Sequence, residues 1–186
     1  VSAGHDHIVS DSTFVHAMVT AEVALLRAID AVRGEEPDEI DRHSAAWGWR
    51  GIGELVTEHG VDTGALAAAA VGSGNPVVPL VAELRHRGDI HNGATSQDIL
   101  DTAVMLVAWR VRSELVAGLD VLERNLAVFA QTHRDRAAAA RTLTQHAVPT
   151  TVGLRASTWL RGIRRATERL RMLTLPAQLG GAACWV

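Results

Sequence analysis

Residues 97–132, QDILDTAVMLVAWRVRSELVAGLDVLERNLAVFAQT, decide the fold. Apolar side chains recur there at helical spacing: Ile99, Leu100, Val104, Leu106, Val107, Val111, Leu115, Leu119, Leu122, Leu126 and Phe129. At 1.5 Å rise per residue the helix they predict is roughly 50 Å long. So long a helix cannot bury its stripe alone; it needs neighbours along its whole length.

Downstream, residues 137–144 break the pattern before Pro149, which predicts an irregular connection. A second long helix is expected from about Thr150 to Leu173, carrying Leu154, Trp159, Leu160, Ile163 and Leu170, with Pro176 stopping it. Arg155, Arg161, Arg164, Arg165, Arg169 and Arg171 make it basic. That fits a solvated face, inter-subunit ion pairs or an anion funnel better than a nucleic-acid footprint, given the net charge of −3. Upstream, Asp11 or Ser12 caps a helix through Phe14, Val15, Met18, Val19, Val23, Leu26 and Val32, and Gly34 ends it. Shorter helices follow near 38–47, 52–58 and 63–71, separated by glycines. Asn75 before Pro76 starts another, to about His86. No segment alternates as a strand does, so the expected class is all-α.

Composition narrows the function. Hydrophobic residues at 47% with 21% charged describe a globular chain with a real core. There is no basic-then-apolar leader and no run of about twenty apolar residues, so neither export nor a membrane partner is expected. A single cysteine, Cys184, excludes an internal disulfide and fits a cytoplasmic protein. All 18 basic residues are arginine, which removes Schiff-base chemistry and a phosphate-loop lysine; the absence of tyrosine removes phenol acid–base roles.

Chemistry concentrates in two stretches. In the first, His91-Asn92-Gly93-Ala94-Thr95-Ser96-Gln97-Asp98, Thr95 reads as an N-cap with Asp98 at capping-box spacing. Amide hydrogens and the positive end of the helix dipole gather there, so small carboxylates are attracted, although Thr and Ser before a helix also serve simply as caps. In the second, Arg141-Thr142-Leu143-Thr144-Gln145-His146-Ala147-Val148-Pro149-Thr150, His146 lies between two long helices, and histidine is the residue type suited to giving and taking a proton at neutral pH. It is the strongest candidate for proton transfer, although a histidine in such a segment also serves as a cap or a hydrogen-bonded loop residue. Thr144, Gln145 and Thr150 offer hydrogen bonds either to substrate carboxylates or to exposed helix ends. His16, His86 and His133 fall on or beside helices and read as structural, and Trp47 and Trp49 as packing residues. His5 and His7 have metal-like spacing, but no partner pattern supports a metal.

The run from His91 through Ala103 resembles the first active-site segment of the fumarase/aspartase superfamily. The form is that of adenylosuccinate lyases and 3-carboxy-cis,cis-muconate cycloisomerases. Asn75-Pro76-Val77-Val78-Pro79-Leu80-Val81, Arg141 through Thr151, and Leu175-Pro176-Ala177-Gln178-Leu179-Gly180-Gly181-Ala182-Ala183 resemble the cycloisomerase branch in order. So does the start, Ser12 through Met18 followed by Glu22.

The resemblance implies a small helical domain over 1–96 and, over 97–186, the first long helices of a central bundle. It also implies homotetramers whose active sites each draw on three subunits. The implied reaction is cofactor-free lactonisation of 3-carboxy-cis,cis-muconate, a small polycarboxylate. His146 would transfer the proton, while His91, Thr95, Ser96, Gln97, Thr144, Gln145 and Thr150 bind or orient substrate. The family's third active-site segment, a serine-rich loop containing a lysine, is not within these 186 residues, so the chain alone is expected to be weakly active or inactive. The alternatives are an adenylosuccinate- or argininosuccinate-type lyase and a non-catalytic helical oligomerisation module.

Overall fold

The computed structural model describes residues 4, 6–34, 61–85 and 90–183. Expectations for residues 38–47 and 52–58, and for His5, Trp47, Trp49, His86 and Cys184, lie outside them. Among the described residues there are five α-helices and one two-stranded sheet: α1 (Asp11–Arg33), α2 (Thr63–Ser73), α3 (Val77–Leu84), α4 (Ser96–Thr132), β1 (Ala137–Thr142), β2 (Gln145–Thr151) and α5 (Val152–Met172). The protein is helical with a small hairpin. The chain divides into two compact units, Val1–Trp109 with Leu175–Val186, and Arg110–Thr174.

The core of the first unit joins Val15, Met18 and Val19 of α1 to Leu66 of α2, to Val77, Leu80 and Val81 of α3, and to Ile99 and Ala103 of α4. Local chemistry sets the helix ends. Ser10, rather than Asp11 or Ser12, caps α1: its Oγ accepts from Thr13 N–H at 3.3 Å and its carbonyl from Phe14 N–H. Gly34 ends the helix at φ +71°, where a side chain would be strained. Asp62 caps α2 through the N–H groups of Gly64 and Ala65. Asn75 Oδ1 accepts from Val77 N–H at 2.8 Å, so α3 begins at the Asn–Pro pair and runs to Leu84.

In the second unit, the connection expected to be irregular is an antiparallel hairpin, β1 with β2. Its period-two pattern is carried by alanines, whose side chains give no polar–apolar contrast to read. Ala137 pairs with Thr151, Ala139 with Pro149, Arg141 with His146 and Thr142 with Gln145. Between the second and third of these pairs Ala147 and Val148 oppose Ala140, a bulge beside His146. Thr150 therefore lies in β2 and does not start a helix; Thr151 caps α5 by accepting from Leu154 N–H at 3.1 Å. Gly153 fits because a Cβ there would come within 2.5 Å of Ala130 O and Arg134 Cα, and its N–H reaches His133 O at 2.9 Å. The His133 ring lies edge-on to Phe129, with centroids 4.4 Å apart.

The basic helix α5 is tied to α4 within the chain. Arg164 bonds Glu123 at 2.7 Å, and Arg171 bonds both oxygens of Asp120 at 2.6 and 2.8 Å. The apolar stripe of this part of α4 is only partly covered: Leu115, Val121, Leu122, Val128 and Phe129 are exposed, as are Leu154 and Trp159 of α5.

Candidate active site

The candidate residues fall in two places, each described in its own unit. In the first unit they surround the start of α4. Asp98, 1% exposed, accepts three backbone N–H bonds: from Thr95 at 2.8 Å, Gly180 at 2.8 Å and Gly181 at 2.9 Å. The bond from Thr95 is one half of the capping box read from the spacing. The other two come from the segment after α5, 82 and 83 residues away in sequence. Thr102 Oγ1 holds the same segment through Gln178 N–H at 3.0 Å. Burial pushes the Asp98 carboxyl up, but the N–H groups of Thr95, Gly180 and Gly181 and the Gln178 side chain outweigh it, leaving the group below its ordinary value. Gly181 is required here: it sits at φ +61° and a Cβ would lie 2.8 Å from Gly93 O.

With Asp98 occupied inward, the Thr95 and Ser96 hydroxyls are half-buried and make no hydrogen bond to the described residues. Gln97 is exposed, and its amide bonds Asp101 at 2.7 Å. Between α4 and the returning segment is an open groove of about 540 Å³, lined by Asp101, Val104, Met105 and residues 176–180.

His91 belongs to the same region. Its backbone is left-handed at φ +66°, and its Nδ1 lies 2.6 Å from Oε1 of Glu22 on α1. The His91 side chain is 14% exposed and that of Glu22 is 1% exposed. Glu22 Oε2 is buried without a hydrogen-bond partner among the described residues. Burial pushes the Glu22 carboxyl above its ordinary 4.5, offset only in part by the His91 hydrogen bond and the charges of His91 and Arg85. Sequence reading passed over Glu22 as a site residue. A lone acid on an otherwise apolar helix face was the available signal.

In the second unit, Thr144, Gln145, His146 and Thr150 share the hairpin. Leu143 and Thr144 form its two-residue loop, with Thr144 left-handed at φ +65° where glycine or asparagine is usual. His146 is exposed on β2 beside the bulge and makes no side-chain hydrogen bond to the described residues. Thr150 is half-buried. Among the described residues no group of three or more His, Cys, Asp or Glu side chains is placed to hold a metal, and no helix is long and apolar enough to cross a membrane.

Comparison with known proteins gives this geometry its context. Residues 42–185 match the lyase family. A nitrosuccinate lyase from Streptomyces davaonensis is 43% identical over 94% of this chain and 37% of its own length. A 3-carboxy-cis,cis-muconate cycloisomerase from Bradyrhizobium diazoefficiens is 41% identical over 66% of this chain and 30% of its own. The crystal structure of the β-carboxy-cis,cis-muconate cycloisomerase from Acinetobacter calcoaceticus superposes with a TM-score of 0.81 at 31% identity, over 97% of this chain and 43% of that one. The chain therefore spans 30–43% of the length of these relatives. The family match over residues 42–185, together with these relatives, means that the chain belongs to the lyase family, within the fumarate lyase superfamily.

Proposed function

We propose that this chain is part of an enzyme that forms or breaks a bond next to a carboxylate, and that its substrate is 3-carboxy-cis,cis-muconate. One observation carries the reading. The Thr95 and Ser96 hydroxyls make no hydrogen bond to the described residues and stand at the start of a 37-residue helix whose first turn is held in place by the Asp98 bonds. Helix-end amides and hydroxyls at that position bind carboxylate and stabilise the enolate-like charge that builds on it.

In the reaction, an oxygen of one substrate carboxylate bonds to an alkene carbon. The neighbouring carbon takes a proton, the π bond is consumed and nothing leaves. The nucleophile belongs to the substrate, so the protein positions it, stabilises charge and supplies the proton. His146 supplies that proton and is reloaded from solvent. His91, Gln97, Thr144, Gln145 and Thr150 orient the remaining carboxylates.

In this reading residues 1–96 form the N-terminal domain and 97–186 contribute to the central bundle. The exposed apolar residues of α4 and α5 are then covered by like helices of a homotetramer. Each active site draws on three subunits.

A second reading rests on the 43% identity to a nitrosuccinate lyase along most of the chain. There a C–H and a C–N bond would break, nitrite would leave with its electron pair, and a C=C bond would form. Both reactions can be followed on the purified chain, by loss of diene absorbance and by nitrite release, with His146→Ala alongside. Diene loss that falls roughly 10²–10⁴-fold in the variant supports the cycloisomerase. Nitrite release without diene loss replaces it with the lyase. Neither signal removes both activities from this chain.

A further inference from the structure

One contact among the described residues gathers three features that packing alone does not favour. Glu22 is fully buried on a helix face that otherwise buries Val15, Met18, Val19 and Ala21. Its Oε2 has no partner among the described residues. His91, 69 residues away, is held at φ +66°, a strained conformation for a residue with a side chain, and its ring lies 2.6 Å from Glu22 Oε1. An aliphatic residue at position 22 would extend the core and need no partner, and such replacements of buried charge are often neutral or stabilising. Strain and an unsatisfied buried acid persisting at one contact point to function.

We infer that Glu22 is a positioning residue that holds the His91 imidazole with Nδ1 inward and Nε2 presented to a substrate carboxylate. A carboxylate at one ring nitrogen fixes both the tautomer and the orientation of the ring. Nδ1–H donates to Glu22 Oε1, which leaves Nε2 for the ligand. Nε2 makes no hydrogen bond to the described residues, and the side chain keeps 14% exposure. His91 also opens the loop that runs to Ser96. The ligand class rests on the proposed function; the orientation of the ring does not.

Long-range proton–nitrogen NMR of the histidine rings tests this on the full 186-residue chain, with His91→Asn identifying the signal and tricarballylate as the polycarboxylate probe. The expected result is a proton on Nδ1 of His91 and an Nε2 resonance that moves on adding tricarballylate, with both properties lost in a folded Glu22→Leu chain. An unprotonated Nδ1 in the wild type overturns the inference, as does an Nε2 resonance indifferent to the probe. A folded Glu22→Leu chain whose His91 ring behaves as in the wild type overturns it too. Should that variant not fold, the two wild-type measurements still decide. An Nδ1 proton and a probe response keep the positioning role even where the chain by itself turns over neither substrate. Turnover with Nδ1 unprotonated would overturn the positioning role and keep the proposed reaction.

Discussion

The two candidate regions are built in opposite ways. Around the start of α4, buried acids are tied to distant parts of the chain: Asp98 to Gly180 and Gly181, Glu22 to His91. Around His146 the side chains are exposed and order comes from backbone pairing, a two-residue loop and a bulge. Under the proposed function the first region serves as a preorganised binding wall. In the same reading the second is a scaffold that presents an imidazole. Desolvation strengthens charge interactions only where water is excluded, so the first region can hold a carboxylate more firmly than the second.

The contrast is broken most severely at Asp98. Asp98→Ala leaves three N–H groups without their charged acceptor, and an expected loss of roughly 3–5 kcal/mol should appear in urea unfolding. Gly153→Ala strikes the scaffold of the second region instead. The added methyl meets Ala130 O and Arg134 Cα at 2.5 Å, and overpacking of that kind costs on the order of 1–3 kcal/mol. Hydrogen exchange should show that loss in the hairpin and the start of α5.

Acid and base sharpen the comparison within the first region. Asp98 is held below its ordinary 3.8, so the unfolded chain binds more protons as pH falls past that value and this contribution to stability is lost. Glu22 has the opposite sign. The unfolded chain releases its proton near 4.5 while the folded one keeps it, so stability declines as pH rises from 4.5 through the raised folded value. Unfolding free energies of Glu22→Gln, measured across this range, should lack that decline and keep the acid-side loss due to Asp98. The smallest effect belongs to His146→Ala, expected to change stability by no more than about 0.5 kcal/mol by the same unfolding measurement, because the side chain is exposed and makes no hydrogen bond to the described residues.

Much of the fold was legible because helices announce themselves locally. The stripe from Ile99 to Phe129 gave α4, and Gly34 and the Asn75–Pro76 pair marked ends that the structure keeps. The hairpin was not legible. Alanines carry its alternation, and its partner strand is recognised only once the two pair. The Thr95–Asp98 capping pair was readable from spacing, but two of the three N–H groups that hold Asp98 were not. Nor was the pairing of two arginines on α5 with Asp120 and Glu123 of α4.

By itself the sequence determined the helical class, the long-helix architecture and the two segments that hold the candidate residues. Periodicity, caps and short motifs act over a few residues and can be read along the chain. Only the tertiary structure decided that Glu22 stands behind His91 and that Gly180 and Gly181 close on Asp98. Those contacts join residues 69 to 83 positions apart. No local pattern specifies such pairs; burial in a common core brings them together, and once there the cost of leaving a polar group unpaired selects the partner.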